Sequence, residues 1–155
     1  MSYISRPTVT RAANTTAYTA GDVVGGVINF KGFPAQADVL ITSADLRIDI
    51  ASIPSGMTSF RLELYKERPA SAYVDNDAWD LPSGDRDDYI GFVDIGVIDD
   101  KGSTLYVQNS DVRMQVRTGL IGLFGYLVTT GAFTPASNSE VYRPCLRAYP
   151  LSGAA

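Results

Sequence analysis

Apolar and polar residues alternate along most of the chain. In residues 45–50 every second side chain is apolar and its neighbours are charged, and the same period of two recurs in residues 60–66 and 112–117. Side chains of a β-strand point alternately to opposite faces, so this period is typical of a strand with one buried face. We expect three half-buried strands at these positions.

Further strands are predicted where β-branched and aromatic residues cluster between turns. They lie at residues 8–11, 23–30, 89–97, 104–107, 120–129 and 141–149. The segments between them are rich in Gly, Pro, Asn, Asp and Ser, which favour turns. The pair Gly25–Gly26 predicts a bulge or the close approach of another strand. No stretch of ten residues has the period of an amphipathic helix, and residues 81–89 favour one short turn capped by Ser83.

Eight or nine short strands with little helix predict an all-β fold. The expected architecture is an antiparallel β-sandwich or a jelly roll, in which two facing sheets build the core. A length of 155 residues suits one domain, and no linker or internal repeat divides it. We therefore expect a single β-sandwich domain over residues 1–155, with the unpatterned residues 1–6 as an extended N-terminal arm.

Composition and charge narrow the possible functions. The formal charge of −4 argues against a general nucleic-acid binder, whose affinity rests on lysines and arginines that neutralise phosphates. The chain has no histidine and one cysteine, so it lacks Ser-His and Cys-His catalytic pairs and histidine metal ligands. The longest apolar run, residues 119–128, is about half the ~20 residues that a membrane helix needs. We expect no enzyme, no cofactor, and neither a nucleic acid nor a membrane as partner.

Residues 75–96 are the most acidic stretch, with seven carboxylates and the only tryptophan. Closely alternating oxygen ligands suit Ca²⁺, which makes Asp75, Asp77 and Asp80 the candidate ligands of an irregular calcium site. The spacing lacks the turn glycine and the closing glutamate of an EF-hand. We favour a solvated acidic loop and keep the calcium site as the weaker alternative.

Aromatic residues accompany the same stretch. Tyr73, Trp79 and Tyr89 offer flat faces on which a sugar could stack, so a glycan-binding site is one interpretation. Hydrolysis of the glycan would need two carboxylates across a cleft, and neighbouring loop positions do not indicate that spacing. The favoured interpretation is that Trp79 closes one end of the sandwich as part of its core.

Cys145 falls in phase with Arg143 and Arg147 along the last strand. A thiolate held between two arginines would be reactive, which is one interpretation of the pattern. Because no histidine is available as a base, a small inert residue on a strand is the favoured one.

Three segments of the chain form a recognisable set: AYTAGDVVGGVINF (17–30), LELYKERPASAYVDNDAWDLPSGDRDDYIGFVDIG (62–96) and GYLVTTGAFTPASNSEVYRPCLRAYP (125–150). Together they resemble a family of small β-rich proteins of tailed bacteriophages and prophages. The chain departs from the family's pattern at Asp77, where a small residue is more usual, and in its extra aromatic residues around Trp79. The resemblance spans residues 18–149 and implies a β-sandwich protein of the virion, such as a capsid decoration or cement protein, that binds the shell in many copies and often as a trimer.

From this resemblance we expect a phage virion structural protein, made in the host cytoplasm and placed on the capsid surface as a decoration (cement) protein. Its expected partners are the major capsid protein and further copies of itself, with a trimer favoured. Tyr3, Ile4 and Arg6 are the expected capsid contacts, because an N-terminal arm could add a strand or bury an aromatic anchor. The alternative is a glycan- or receptor-binding module of a head or tail fibre that uses the three aromatic residues of the acidic stretch.

Overall fold

A computed structural model describes residues 2–151, so Met1 and residues 152–155 of the expected domain lie outside the described part. Its regular structure consists of one 3₁₀ turn (Ser83–Asp85) and eleven strands: β1 (Tyr3–Ser5), β2 (Val9–Thr10), β3 (Val23–Phe30), β4 (Asp38–Ile48), β5 (Ser59–Tyr65), β6 (Tyr89–Val97), β7 (Asp99–Asp100), β8 (Leu105–Asn109), β9 (Met114–Arg117), β10 (Leu123–Thr129) and β11 (Val141–Pro150). Over these residues no helix is long and apolar enough to cross a membrane.

The strands form two antiparallel sheets with the connectivity of a jelly roll. The large sheet has the order β1-β11-β4-β8-β7, with β2 also paired to β11 and β9 to β4, and the small sheet has the order β3-β10-β5-β6. If β1 with β2, and β8 with β9, are each taken as one interrupted strand, and the two-residue edge strand β7 is set aside, each sheet has four strands. The chain then changes sheet at every connection except β5 to β6, as two Greek keys require. The predicted all-β, jelly-roll-like sandwich is confirmed.

The main core lies between the sheets and takes alternate side chains from their strands. In β5 the apolar set Phe60, Leu62 and Leu64 is fully buried, and in β4 so are Leu46 and Ile48. Removing this apolar surface from water stabilises the fold by roughly 25 cal/mol for each Å². The period of two therefore identified the inward face of both strands correctly.

A bulge explains why the first half of β4 shows no continuous alternation. Ser43 pairs with Arg147 and Ile41 with Ala148, so Thr42 is an extra residue against β11. Beyond this point the buried apolar positions change from odd to even numbers, because one inserted residue reverses the faces of the strand. The sequence prediction consequently began this strand at residue 45 instead of Asp38.

The predicted bulge and close approach at Gly25–Gly26 are both confirmed. The pairing of β3 with β10 shifts register at these two residues, and both have positive φ angles. A Cβ on Gly25 would lie 2.0 Å from Cγ1 of Val9. Strand β2 thus passes close to β3 only because Gly25 has no side chain.

The expected N-terminal arm is corrected to an edge strand. Tyr3, Ile4 and Ser5 pair with β11 through main-chain hydrogen bonds, and the Tyr3 ring packs edge-on against Phe33 with 6.4 Å between ring centroids. Three residues are too few to display a period, and main-chain pairing does not depend on side-chain identity. Strand β1 was therefore missed in the sequence.

Candidate functional site

The loop that connects β5 to β6 (residues 66–88, the covering loop) lies across the outer face of the small sheet. Two tyrosines that rise from this face hold it. The indole N–H of Trp79 donates to the Tyr65 hydroxyl at 3.0 Å, and the main-chain N–H of Tyr73 donates to the Tyr126 hydroxyl at 3.0 Å. With Phe124 they belong to a second apolar cluster, separate from the main core.

The structure brings the three candidate glycan-binding residues into this cluster. Trp79 lies 6.0 Å from Tyr89 between ring centroids, and Tyr73 lies 5.5 Å from Tyr126. Tyr65 joins the two pairs, at 5.5 Å from Tyr89 and 5.7 Å from Tyr126. Each of the three candidates is only partly exposed. The prediction that Trp79 closes an end of the sandwich is corrected, because it packs on the outside of the small sheet.

Glu63 is a buried carboxylate at the edge of this cluster, and neighbouring side chains satisfy its charge and its hydrogen-bonding capacity. It accepts a hydrogen bond from the Tyr89 hydroxyl at 2.7 Å and forms an ion pair with Arg61. The Arg61 guanidinium in turn lies 5.9 Å from the centre of the Trp79 ring. Burial, and then the bond to Glu63, raise the pKa of Tyr89 above its usual range. These groups therefore already satisfy one another.

The three candidate calcium ligands are not brought together. Asp75 accepts hydrogen bonds from the Tyr18 hydroxyl at 2.6 Å and from the main-chain N–H of Gly25 at 2.8 Å. Asp77 accepts from a main-chain N–H of its own turn, and Asp80 is exposed. Within residues 2–151 no three Asp, Glu, Cys or His side chains are grouped closely enough to hold a metal ion. Asp75 fastens the loop to β3, whereas the carboxylate of Asp77 stabilises a turn within the loop.

Asp85 is a further loop carboxylate whose role the sequence did not reveal. It is buried, and its Oδ1 accepts from the main-chain N–H groups of Ala70 at 2.8 Å and Ser71 at 3.3 Å. It lies in the 3₁₀ turn, which starts after Pro82 and has no side-chain cap, so the prediction of Ser83 as a cap was wrong. Asp85 ties the beginning of the covering loop to its end.

The three expected capsid contacts separate into two groups. Tyr3 packs against the main core, whereas Ile4 is 49% exposed and Arg6 is also exposed. Ile4 and Arg6 border an open cleft of about 480 Å³ between the β1–β2 segment and β3. Strand β1 is also the outermost strand of the large sheet. This edge therefore presents an apolar side chain and a cation beside an open groove.

A second cleft, of about 340 Å³, lies on the outer face of the large sheet (the arginine cleft). Its charged lining consists of Asp45 and four arginines: Arg6, Arg47, Arg143 and Arg147. The predicted common face of Cys145 with Arg143 and Arg147 is confirmed, and burial raises the pKa of the Cys145 thiol, as expected for an inert residue. Arg6 and Arg47 come from distant positions in the chain, so no sequence pattern indicated that they join the others.

No protein-family model matches the chain, and no curated protein matches it in sequence. Several solved structures align along nearly its whole length. The cyanophage Pam1 capsid asymmetric unit is 13% identical with a TM-score of 0.39, covering 96% of this chain and 84% of that one. The infectious bursal disease virus Gx strain is 13% identical with a TM-score of 0.39, covering 98% and 33%. The CBM22-1–GH10 modules of Clostridium thermocellum xylanase 10B, complexed with xylohexaose, are 9% identical with a TM-score of 0.33, covering 96% and 27%. With TM-scores below 0.5, these alignments carry no argument about function.

Proposed function

We propose that this protein is a virion structural protein of a tailed bacteriophage, and more narrowly a capsid decoration protein that binds the major capsid protein in many copies and stabilises the head. The observation that carries the proposal is the sequence resemblance over residues 18–149. The resembling segments cover β3, β5 to β6 with the covering loop, and β10 to β11. Viral capsid domains and lectins both use jelly rolls, so the fold is compatible with the proposal without deciding it.

The edge of the large sheet at β1 is the proposed capsid contact. An exposed edge strand can pair with a strand of another protein, and Ile4 supplies an apolar anchor beside the exposed Arg6. A modest interface of this kind becomes tight when several copies bind at once. A trimer on the capsid surface would provide that multiplicity.

The experiment that tests the proposal is co-sedimentation of the purified protein with expanded capsids. Truncating the N-terminus is unsuitable, because it would remove β1 and β2 from the large sheet. The substitution Ile4→Glu places a charge on the exposed position and is expected to weaken capsid binding at least tenfold with an unchanged melting temperature. Val74→Glu is the matched control, because Val74 is 62% exposed and belongs to the covering loop on the other sheet.

The result against the capsid contact is equal binding by both variants. The result against the whole proposal is a native protein that does not sediment with capsids. The copy number in purified virions, measured by mass spectrometry, is expected to be comparable to that of the major capsid protein. A handful of copies would indicate a vertex or tail component.

Glycan binding by a head or tail fibre module is the second candidate. The observation that favours it is the gathering of Tyr73, Trp79 and Tyr89 in one partly exposed aromatic cluster. Against it, the Trp79 indole N–H and the Tyr89 hydroxyl are engaged in internal hydrogen bonds. A glycan array with the native protein separates the two candidates, since a decoration protein is expected to ignore sugars.

A further inference from the structure

The arginine cleft concentrates positive charge on a protein whose formal charge is −4. Asp49 accepts from Nε of both Arg47 and Arg143, at 3.0 and 3.1 Å, and Asp45 accepts from Arg147 at 2.7 Å. Together with Arg6, the cleft and its border thus contain four arginines and only two aspartates. The terminal nitrogens of Arg47 have no carboxylate partner among residues 2–151. The cleft therefore retains N–H donors that can bind a further carboxylate.

Negative charge is concentrated on the other sheet. The second half of the covering loop (residues 75–88, the acidic loop) contains six aspartates and one arginine. Three of these aspartates have internal hydrogen-bond partners, as described above. Asp80 and Asp87 are exposed and form no ion pair within the described part of the chain. The acidic loop thus presents carboxylates without an ionic partner on either side of its 3₁₀ turn.

These two charged surfaces cannot meet within one molecule. The arginine cleft lies on the outer face of the large sheet, and the acidic loop lies on the outer face of the small sheet. The two sheets of a sandwich are about 10 Å apart, and the main core fills the space between them. Neutralisation of the cleft by the loop therefore requires two molecules.

We propose that the arginine cleft of one copy binds the acidic loop of a second copy. Carboxylates of Asp80 and Asp87 accept hydrogen bonds from the terminal nitrogens of Arg47, where the planar guanidinium matches a carboxylate in a two-point contact. Nη2 of Arg143 donates a further hydrogen bond, since Nη1 of Arg143 already donates to the Thr8 hydroxyl at 2.9 Å. The two surfaces differ, so the contact is heterologous and closes into a ring when the rotation between copies permits. The inference deepens the proposed function, on whose homo-oligomer it rests, by naming the contact between copies.

The test is sedimentation velocity of the full chain at two salt concentrations. The native protein is expected to associate at about 0.1 M salt and to dissociate at about 1 M, where the screening length falls from about 10 Å to about 3 Å. Arg47→Glu/Arg143→Glu is expected to weaken association at least tenfold, and so is Asp80→Arg/Asp87→Arg. The control is Arg113→Glu/Arg117→Glu, which reverses two exposed arginines that each pair with an aspartate outside the cleft.

A mixing experiment tests the heterologous geometry. Each charge-reversed variant alone is expected to remain monomeric, whereas an equimolar mixture is expected to associate, because each then meets a surface of opposite charge. A monomeric native protein at low salt would overturn the inference. Unchanged association of the reversed variants would do so as well, and so would a mixture that stays monomeric while both variants melt as the native protein does.

Capsid co-sedimentation distinguishes this inference from the proposed function. If the inference fails alone, capsids still bind the native protein, which does not associate with itself. If the proposed function fails alone, the protein associates with itself in the salt-dependent way described and does not bind capsids.

Discussion

At the scale of single residues, two buried tyrosines show how the same side chain can contribute differently to stability. The Tyr18 hydroxyl donates to Asp75 at 2.6 Å and accepts from Arg11 at 3.3 Å. The Tyr142 hydroxyl is equally buried but has no hydrogen-bond partner within residues 2–151. A buried polar group without a partner loses its hydration and gains nothing in return.

We therefore predict opposite results for the two Tyr→Phe substitutions. Tyr142→Phe is expected to leave the free energy of unfolding unchanged or to raise it by up to about 1 kcal/mol, whereas Tyr18→Phe is expected to lower it by about 1–3 kcal/mol. Urea denaturation of both variants measures these differences. A clear loss of stability in Tyr142→Phe would mean that its hydroxyl has a partner after all.

The ion pair between Arg11 and Glu140 is buried on both sides. Arg11 also donates to the main-chain oxygen of Ser137 at 2.6 Å, so it connects β2 to the loop before β11. Arg11→Met is expected to lower the free energy of unfolding by about 3–5 kcal/mol, because it leaves an uncompensated buried carboxylate. The double variant Arg11→Met/Glu140→Gln is expected to be more stable than the single one by chemical denaturation. Equal stabilities would show that the lost charge balance is not the cause.

At the scale of elements, the close contact between β2 and β3 depends on one glycine. Gly25→Ala combines a positive φ with a clash against Val9 and is expected to cost more than about 2 kcal/mol. Gly102→Ala is the control, because Gly102 also has a positive φ but no atom lies within 4 Å of the added Cβ. Its expected cost is about 1–2 kcal/mol from backbone strain alone. Thermal melting compares the two, and equal costs would contradict the clash.

The covering loop is the reason that the strand beneath it, β10, shows no alternation of apolar and polar residues. All seven residues of β10 are buried, because the main core covers one face of the small sheet and the covering loop covers part of the other. A strand with both faces covered is apolar throughout and loses the period of two. This explains the larger part, residues 123–128, of the continuous apolar run at residues 119–128.

At the scale of the whole molecule, several buried tyrosines make stability depend on alkaline pH. Burial raises the pKa of Tyr18, Tyr65 and Tyr142 above the usual range of tyrosine. In the unfolded chain the same tyrosine hydroxyls ionise near pH 10. Their contribution to stability is fully present below pH 10 and is lost as pH rises toward the folded-state values, because the unfolded state releases its protons first.

We predict a melting temperature that falls steeply above pH 10. In this pH range each buried tyrosine is expected to lower the free energy of unfolding by about 1.4 kcal/mol for each pH unit. Tyrosinate absorbance is expected to appear together with loss of the β-sheet circular dichroism signal. Tyr142→Phe is expected to make the free energy of unfolding fall less steeply with pH. Tyrosinate forming near pH 10 in a protein that remains folded would contradict the prediction.

Local pattern determined the parts of this protein that depend on neighbouring residues. The all-β class, the inward faces of β4 and β5 and the glycine bulge of β3 follow from the period of a strand and from the steric freedom of glycine, both of which act within a few residues. The short strand β1 and the phase change at Thr42 were not predicted from the sequence, because they arise from pairing with the distant strand β11.

Only the tertiary structure decided which distant side chains share a surface. Arg6, Arg47 and Arg143 meet because β11 pairs with both β1 and β4, and the covering loop lies on the small sheet because Tyr65 and Tyr126 from neighbouring strands hold it there. Such contacts join residues far apart in the chain, and the order of strands in a sheet is selected by packing of the whole core. Sequence alone therefore determined what kind of strands this protein has, and the tertiary structure determined which charges and rings they bring together.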